Sequence, residues 1–454
     1  MKRLGSFKDR TELVLAALLV LSTVLVTPRI AESDAVQYFS YLPSLLMDGD
    51  LDFADEYEYF YREDPEGRQS FKETFLERET PTGLKFNFGP IGSAVLWSPF
   101  YITVHGVVLV AGTLGADVAA DGLDLPYRWA VALASAIYAA LGLLLSYRFA
   151  RRYASEGASL AVVIALWWAT PVAYYMYIAP GMSHATSLFA VALFFSLWPW
   201  VTSGGAGRWA AWGAAAGLMA LVREQDSLFA LAALVVLLSP RLKMDGRGRL
   251  LRLGVFGLTA LLVFLPQLMV YQVLYGRPAP SSVIQNKLSW SSPHFFSVLF
   301  SPQHGLFFWS PVLLLFAIGG ALLFRREIEA ALLLALGFLS QAYVAGAYGS
   351  WTQAGAFGSR RFVAATVIFA VWGVLVLQWL LPRIRRGGLA AVTVIFILWN
   401  VSLMVQFGLG LMDRQKLVWK EIAYNHLYEV PPRLFSVVGR YFSDRDQLPG
   451  NGQP

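Results

Sequence analysis

The stretch "LVLAALLVLSTVLV" (residues 13–26) runs almost directly into "RIAESDAVQYF" (29–39), and the fold turns on how that junction is read. The first part is continuously apolar. With its flanks, about residues 12–30, it is long enough as a helix to cross a hydrocarbon core of about 30 Å. The second part sets Glu32 and Asp34 at the edge of that core. They are either ordinary interfacial acids, or with Asp34 the N-cap of a following helix, or the groups that do chemistry.

The rest of the chain decides the class. Of 454 residues, 56% are hydrophobic and only 15% charged, with a mean hydropathy of +0.52. A soluble domain carries about 25% charged residues. Several apolar runs reach roughly 18–22 residues, and they are continuous rather than alternating, which excludes a transmembrane barrel. The expectation is an all-α, polytopic transmembrane helical bundle, a single integral membrane domain over 1–454. The net charge of +6 comes from basic residues in short loops between apolar runs, where they orient helices, so no nucleic-acid partner is implied. There are no cysteines, which removes disulfides, thiolate metal sites and cysteine nucleophiles. Pro28 and Arg29 occupy the place where a signal peptidase needs small residues, so the first run reads as a retained anchor with its basic end, "MKRLGSFKDR", in the cytoplasm.

Loop charges give a topology. The acidic stretch "MDGDLDFADEYEYFYREDPEG" (47–67) follows the first span and belongs outside. The apolar run 91–116 is followed by an acidic loop, and the next basic cluster is Arg148, Arg151 and Arg152. If 91–116 crossed, that cluster would face out. The run therefore reads as an interfacial or re-entrant segment bent at Pro99, and 31–126 as one long extracytoplasmic loop carrying interfacial helices. Further spans fall near 127–147, 158–178, 184–201, 209–222, 227–239, 254–274, 306–323, 328–346, 361–381 and 389–411. That makes about eleven, with "RLKMDGRGRLLR", "FRRE" and "PRIRR" inside and 412–454 as an extracytoplasmic C-terminal segment. The runs 209–222 and 227–239 are short for a bilayer, which recesses Arg223, Glu224 and Asp226 below the outer surface. The aromatic-rich segments near 275–304 and 412–454 read as amphipathic stretches along the interface.

Polar groups then gather on the outer side: Glu32 and Asp34; Lys85 in "TGLKFNFGPIG"; His184 in "APGMSHATS" with Arg223 and Glu224; Lys287 and His304; and Arg360 and Arg361 in "YGSWTQAGAFGSRRF". Cations at the outer start of a span run against the inside bias of basic residues. Such cations suit an anionic lipid headgroup, and a carboxylate beside them suits proton removal from an attacking hydroxyl. Each has a plain alternative: solvated loop acids, helix-end charges, an Arg223 pair with Glu224 or Asp226, and histidines that only bond a turn. Walker A, nucleophile-elbow and zincin motifs are absent. A divalent metal at the acidic loop stays open, without a specific signature.

Those segments together resemble the GT-C superfamily of polyprenyl-phosphate-dependent glycosyltransferases, the bacterial branch related to aminoarabinose transferases and protein O-mannosyltransferases. The resemblance rests on "AESDAVQYF" after the first span, "NFGPIGSAVLWSPFYITVH" closing the long first loop, "GLMALVREQDSLF", "LFSPQHGLFFWSP" and "AFGSRRFV". It implies an inverting transferase of the bacterial inner (cytoplasmic) membrane with its site on the extracytoplasmic side. A polyprenyl-phosphate sugar donor would enter from the bilayer, and a lipid, glycan or protein acceptor from outside. The first-loop aspartate of the family matches Asp34, as general base or as the group that orients acceptor and metal, and Lys85, Arg223, Arg360 and Arg361 are candidates for the phosphate. Relatives often pair two adjacent acids here, whereas Asp34 is followed by Ala35 and the nearest acid is Glu32. The competing classes are a transporter or flippase of lipid-linked glycans and a polysaccharide polymerase or ligase. The first predicts polar residues near mid-bilayer and repeated halves; the second, a large basic loop in the C-terminal half.

Overall fold

Asp9 opens the first helix by accepting a bond from the Glu12 backbone N–H at 2.7 Å, so α1 (Arg10–Leu21) starts at a capped end. It passes through a 3-10 turn (Ser22–Leu25) into the extended residues before α2 (Ser33–Pro43). The computed structural model describes residues 9–202, 205–291 and 293–443. Residues 1–8 of the expected cytoplasmic end and 444–454 of the C-terminal segment lie outside the described residues. Among those described, the regular structure is helical and the only β pairing is two isolated bridges.

Among the described residues, seven helices are long and apolar enough to cross a membrane: α4 (Gly92–Thr113), α5 (Leu125–Ala150), α7 (His184–Val201), α10 (Gly246–Tyr275), α12 (Ile328–Ala347), the segment Arg360–Leu380 that contains α13 (Thr366–Leu380), and α14 (Arg386–Gly408). Two shorter apolar helices join them, α6 (Glu156–Trp168) and α11 (Pro311–Phe324). The remaining helices of note are α3 (Ala54–Glu63), α8 (Ala206–Val222), α9 (Ala232–Leu238) and α15 (Val430–Ser443). Bundle helices bury much of their surface, whereas α10 and α14 expose apolar residues such as Leu258, Leu262, Ile395 and Leu398. A helix greasy on its outer side suits a lipid solvent.

Two faces follow from the contacts. Arg148 pairs with Glu12 and Arg151 with Asp9, so the end of α5 meets the start of α1 and the two run antiparallel. Arg326 donates to the Tyr153 carbonyl at 3.3 Å, and Arg241 lies 2.7 Å from Glu327. The loops rich in arginine therefore share one face. The opposite face holds Arg29 to Asp34 and the start of α5, Leu125 and Arg128, around one cavity.

Several expected spans are interrupted, each for a local reason. The run 158–178 stops at Trp168, because Pro171 has no N–H to continue it. The loose carbonyls of Trp168 and Thr170 are both bonded by the Asn400 side chain at 2.9 Å, and a π turn (Tyr174–Ile178) follows. The run 306–323 breaks at Ser310, before Pro311. The run 227–239 is a 3-10 stretch (Glu224–Leu231) before α9. Helix α4 continues through Pro99 without interruption. The Val95 carbonyl that Pro99 leaves without its helical N–H is bonded by the Ser98 hydroxyl at 2.9 Å. Glu32, not Asp34, is the N-cap residue of α2, and Asp34 sits in the first turn, where the helix dipole favours an anion.

Helix α4 leaves from the cavity face and the chain returns there. Gly92 packs on the Leu221–Val222 backbone and Ser93 bonds Thr186, while further along Tyr101 donates to the Gly122 carbonyl at 2.8 Å, just before α5. The first loop is tied down by its own polar contacts: Gln37 accepts from the Phe88 N–H at 2.7 Å, Tyr41 donates to Gly89, and Gln267 accepts from Ile91. An aromatic cluster of Phe53, Tyr57, Phe71 and Phe75 packs α3 onto this frame.

Close approach of α8 and α10 depends on Gly213 and Gly217. A Cβ on Gly217 would stand 2.4 Å from the Ala260 carbonyl oxygen, and one on Gly213 2.2 Å from that of Phe256. Small residues four apart let membrane helices pack backbone to backbone. Gly217→Val is expected to cost about 1–3 kcal/mol by overpacking, read as a lower midpoint in thermal unfolding in detergent. Gly254→Ala, where nothing lies within 4 Å of the new Cβ, leaves the midpoint unchanged.

Candidate functional site

The cavity measures about 700 Å³ and opens between the end of the first span, the loop after α3, the start of α5, the π turn at Tyr174–Tyr175 and the loop 354–360. Its lining is dominated by charge. The Asp34 carboxylate and the Arg360 guanidinium pair across it at 3.1 Å, and the Asp34 side chain is 44% exposed, so the carboxylate remains open to a ligand. Glu32 also lines it, and one of its carboxylate oxygens is buried without a hydrogen-bond partner.

Three further arginines reach the wall. Arg128 bonds Glu63 at 2.5 Å and the Tyr59 hydroxyl at 2.9 Å, which fixes it. Arg68 donates through Nη2 to the Ile30 carbonyl at 3.2 Å and lies over the Phe60 ring, while its Nη1 is buried with no partner. Burial lowers the proton affinity of the Arg68 guanidinium, opposed by the carboxylates of Glu63 and Asp64. Arg29 also lines the cavity, with a buried and unpartnered Nη2. The apolar part of the wall is Tyr174, stacked on Phe357 at 4.5 Å, and Tyr175, which donates to the Phe357 carbonyl at 2.9 Å.

Of the residues singled out from the sequence, Asp34, Glu32 and Arg360 meet in this cavity. His184 and Arg223 lie behind its tyrosine wall. The His184 ring packs on Tyr175 at 4.4 Å and bonds Arg223, which also donates to Gln225 at 3.1 Å. His304 sits in a left-handed backbone conformation (φ 61°) and bonds the Ala356 carbonyl at 2.8 Å through Nε2, so it braces the loop that lines the cavity. Burial pulls its pKa down to about 4, against that bond, leaving a neutral ring at neutral pH. Arg361 turns away, bonding the Ala345 carbonyl and Ser350 and lying over Tyr348. Lys85 pairs with Glu79 at 3.1 Å, Lys287 offers its carbonyl to Gly349, and neither lines the cavity. Glu224 lies outside it as well, with one buried oxygen lacking a partner.

The sequence reading passed over Arg29, Glu63, Asp64, Arg68, Arg128 and the two tyrosines. Arg128 carried a usable signal, a cation at the start of an apolar run on the same face as Arg360. Glu63, Asp64 and Arg68 stood in "REDPEGRQS", which is indistinguishable from a solvated loop until α3 folds over it. Among the described residues no group of three or more His, Asp or Glu side chains is gathered to hold a metal ion.

On α3, Glu56 is 1% exposed and both carboxylate oxygens lack a side-chain hydrogen-bond partner. Burial, with Asp48, Asp50 and Asp55 adding to it and a backbone N–H opposing, raises its pKa from 4.5 to about 8. The folded chain then holds a proton that the unfolded chain releases, so stability falls as pH rises from about 4.5 to about 8. Glu56→Gln removes that term. It is expected to gain about 1–3 kcal/mol over the parent at the upper end of this window and nothing at the lower end, measured as thermal midpoints at the two pH values.

The fold and the site define a helical membrane protein with a carboxylate and several guanidiniums around a cavity at the end of the first span. Residues 126–270 match the family model described as dolichyl-phosphate-mannose-protein mannosyltransferase. The fold is similar to that of ArnT from Cupriavidus metallidurans, solved bound to undecaprenyl phosphate, with a TM-score of 0.53 and 15% identity over 95% of this chain and 77% of that one. No curated protein sequence matches.

Proposed function

We propose that the chain moves a sugar from a polyprenyl-phosphate donor to an acceptor at the extracytoplasmic face of the bacterial cytoplasmic membrane. One observation carries this reading: Asp34 and Arg360 face each other at 3.1 Å in a cavity on the face opposite the arginine-rich loops, with Arg29 and Arg68 alongside. The arginine-rich face is the cytoplasmic one by charge bias. Helix α4 then lies in the outer interface without changing sides.

In the proposed reaction, an acceptor hydroxyl attacks the anomeric carbon from the side opposite the phosphate. Asp34 takes the hydroxyl proton as the new C–O bond forms. The anomeric C–O bond to phosphate breaks, its electron pair leaves on the polyprenyl phosphate, and the configuration inverts. Arg360, Arg68 and Arg29 hold that anion, which grows in charge as the bond breaks. Glu32 is the weaker second candidate for the base because its oxygen is buried. His184, Arg223 and His304 support the wall rather than touch the substrate.

Undecaprenyl phosphate carrying a photoreactive group, added to the chain in nanodiscs, is expected to bind one per chain and crosslink near Tyr174–Tyr175 or Arg360. Crosslinks confined to the arginine-rich face, around Arg152 and Arg241, would overturn both the site and its side of the membrane.

A further inference from the structure

Asp34 and the donor phosphate need the same guanidinium. With its ligand site facing Asp34, Arg360 has one carboxylate at 3.1 Å, and the Asp34 side chain is open enough to move off it. A carboxylate oxygen bonded to an arginine is occupied and cannot at the same time accept a proton from the acceptor. A phosphate is the stronger partner for a guanidinium, since it accepts two parallel N–H bonds in the same fork.

We infer, on the basis of the glycosyl-transfer reading, that donor binding switches on the base. The lipid-linked phosphate takes Arg360 from Asp34, and the carboxylate is free to turn to the acceptor hydroxyl only when the donor is in place. Without donor, Asp34 stays paired with Arg360 and the acceptor meets no free base. The order of binding is therefore donor first. The same competition works in reverse after transfer. The acceptor proton has moved to Asp34, which is then neutral and leaves Arg360 to the departing polyprenyl phosphate. When Asp34 gives that proton to water, its carboxylate recovers Arg360 and helps displace the product. No atom beyond donor, acceptor and water is needed.

Arg68 and Arg29 bear on the phosphate without competing with Asp34, so the contest is for Arg360. Arg128 is committed to Glu63 and Tyr59, and Arg361 to Ala345 and Ser350. Arg360 is the arginine of the wall whose ion pair is with the proposed base itself.

The test is binding of undecaprenyl phosphate to four proteins in nanodiscs: the parent, Asp34→Asn, Arg360→Gln and the double variant. Removing the internal competitor is expected to tighten binding by about three- to fivefold in Asp34→Asn, the scale of a partly exposed ion pair. In the Arg360→Gln background the same change at Asp34 leaves affinity unchanged. Equal tightening in both backgrounds means simple repulsion between Asp34 and phosphate and overturns the switch. No tightening in Asp34→Asn overturns it as well. A parent chain that does not bind undecaprenyl phosphate at all defeats the glycosyl-transfer reading itself, a result distinct from either.

Discussion

Asp34→Asn is expected to lower turnover of a polyprenyl-phosphate-linked sugar by about a hundred- to ten-thousand-fold, the range that a positioned base supplies. The amide keeps the size of the carboxylate and its place in the first turn of α2, but it cannot take a proton. Stability should hold, because the side chain is 44% exposed and its one ion pair is of the partly solvated kind, worth about 0–1 kcal/mol. The measurement is release of polyprenyl phosphate, followed alongside the thermal midpoint and donor binding. Since donor affinity is expected to rise in this variant, a fall in turnover cannot be assigned to lost binding. Full turnover would remove Asp34 from the role of base and turn attention to Glu32, two residues away and lining the same cavity.

How much of this was readable beforehand depends on the kind of signal. Continuous apolar runs between basic loops announce a helical membrane protein, because lipid leaves a backbone no other way to satisfy its bonds. Asp34 and Arg360 were legible for a related reason: each is a charge at the border of an apolar run, where a charge is costly unless something uses it. Arg128 obeys the same rule and was overlooked among the expected span boundaries. Arg68 was not legible, because its setting is made by packing across the fold, with Ile30 38 residues earlier in the chain. Lys85 is placed differently. Its type and loop fitted a phosphate contact, but Glu79, brought opposite it by a local bridge, pairs with it instead. The interrupted helices follow the same division. Pro171 and Pro311 mark the breaks in the sequence, whereas the cap that makes the first one stable comes from Asn400, more than two hundred residues away.

Arg68→Ala is the second large effect, and it should fall on binding. The guanidinium is anchored through Nη2 to the Ile30 carbonyl, at the end of the first span, and it rests against Phe60. Its Nη1 is buried with no partner, an arrangement that is costly unless a ligand completes it. Glu63 is occupied by Arg128, which leaves Arg68 directed to the cavity it lines. A charged hydrogen bond to phosphate contributes about 1.5–3 kcal/mol, so loss of Arg68 should weaken undecaprenyl phosphate binding about ten- to a hundredfold. Arg68→Lys restores the charge but not the fork, and should recover only part of that affinity. Turnover at saturating donor falls less than KM rises, because the base is untouched. A structural role would look different: a lower thermal midpoint from the lost tie to Ile30, with donor affinity unchanged once the protein is folded, and that outcome would take Arg68 out of the phosphate site.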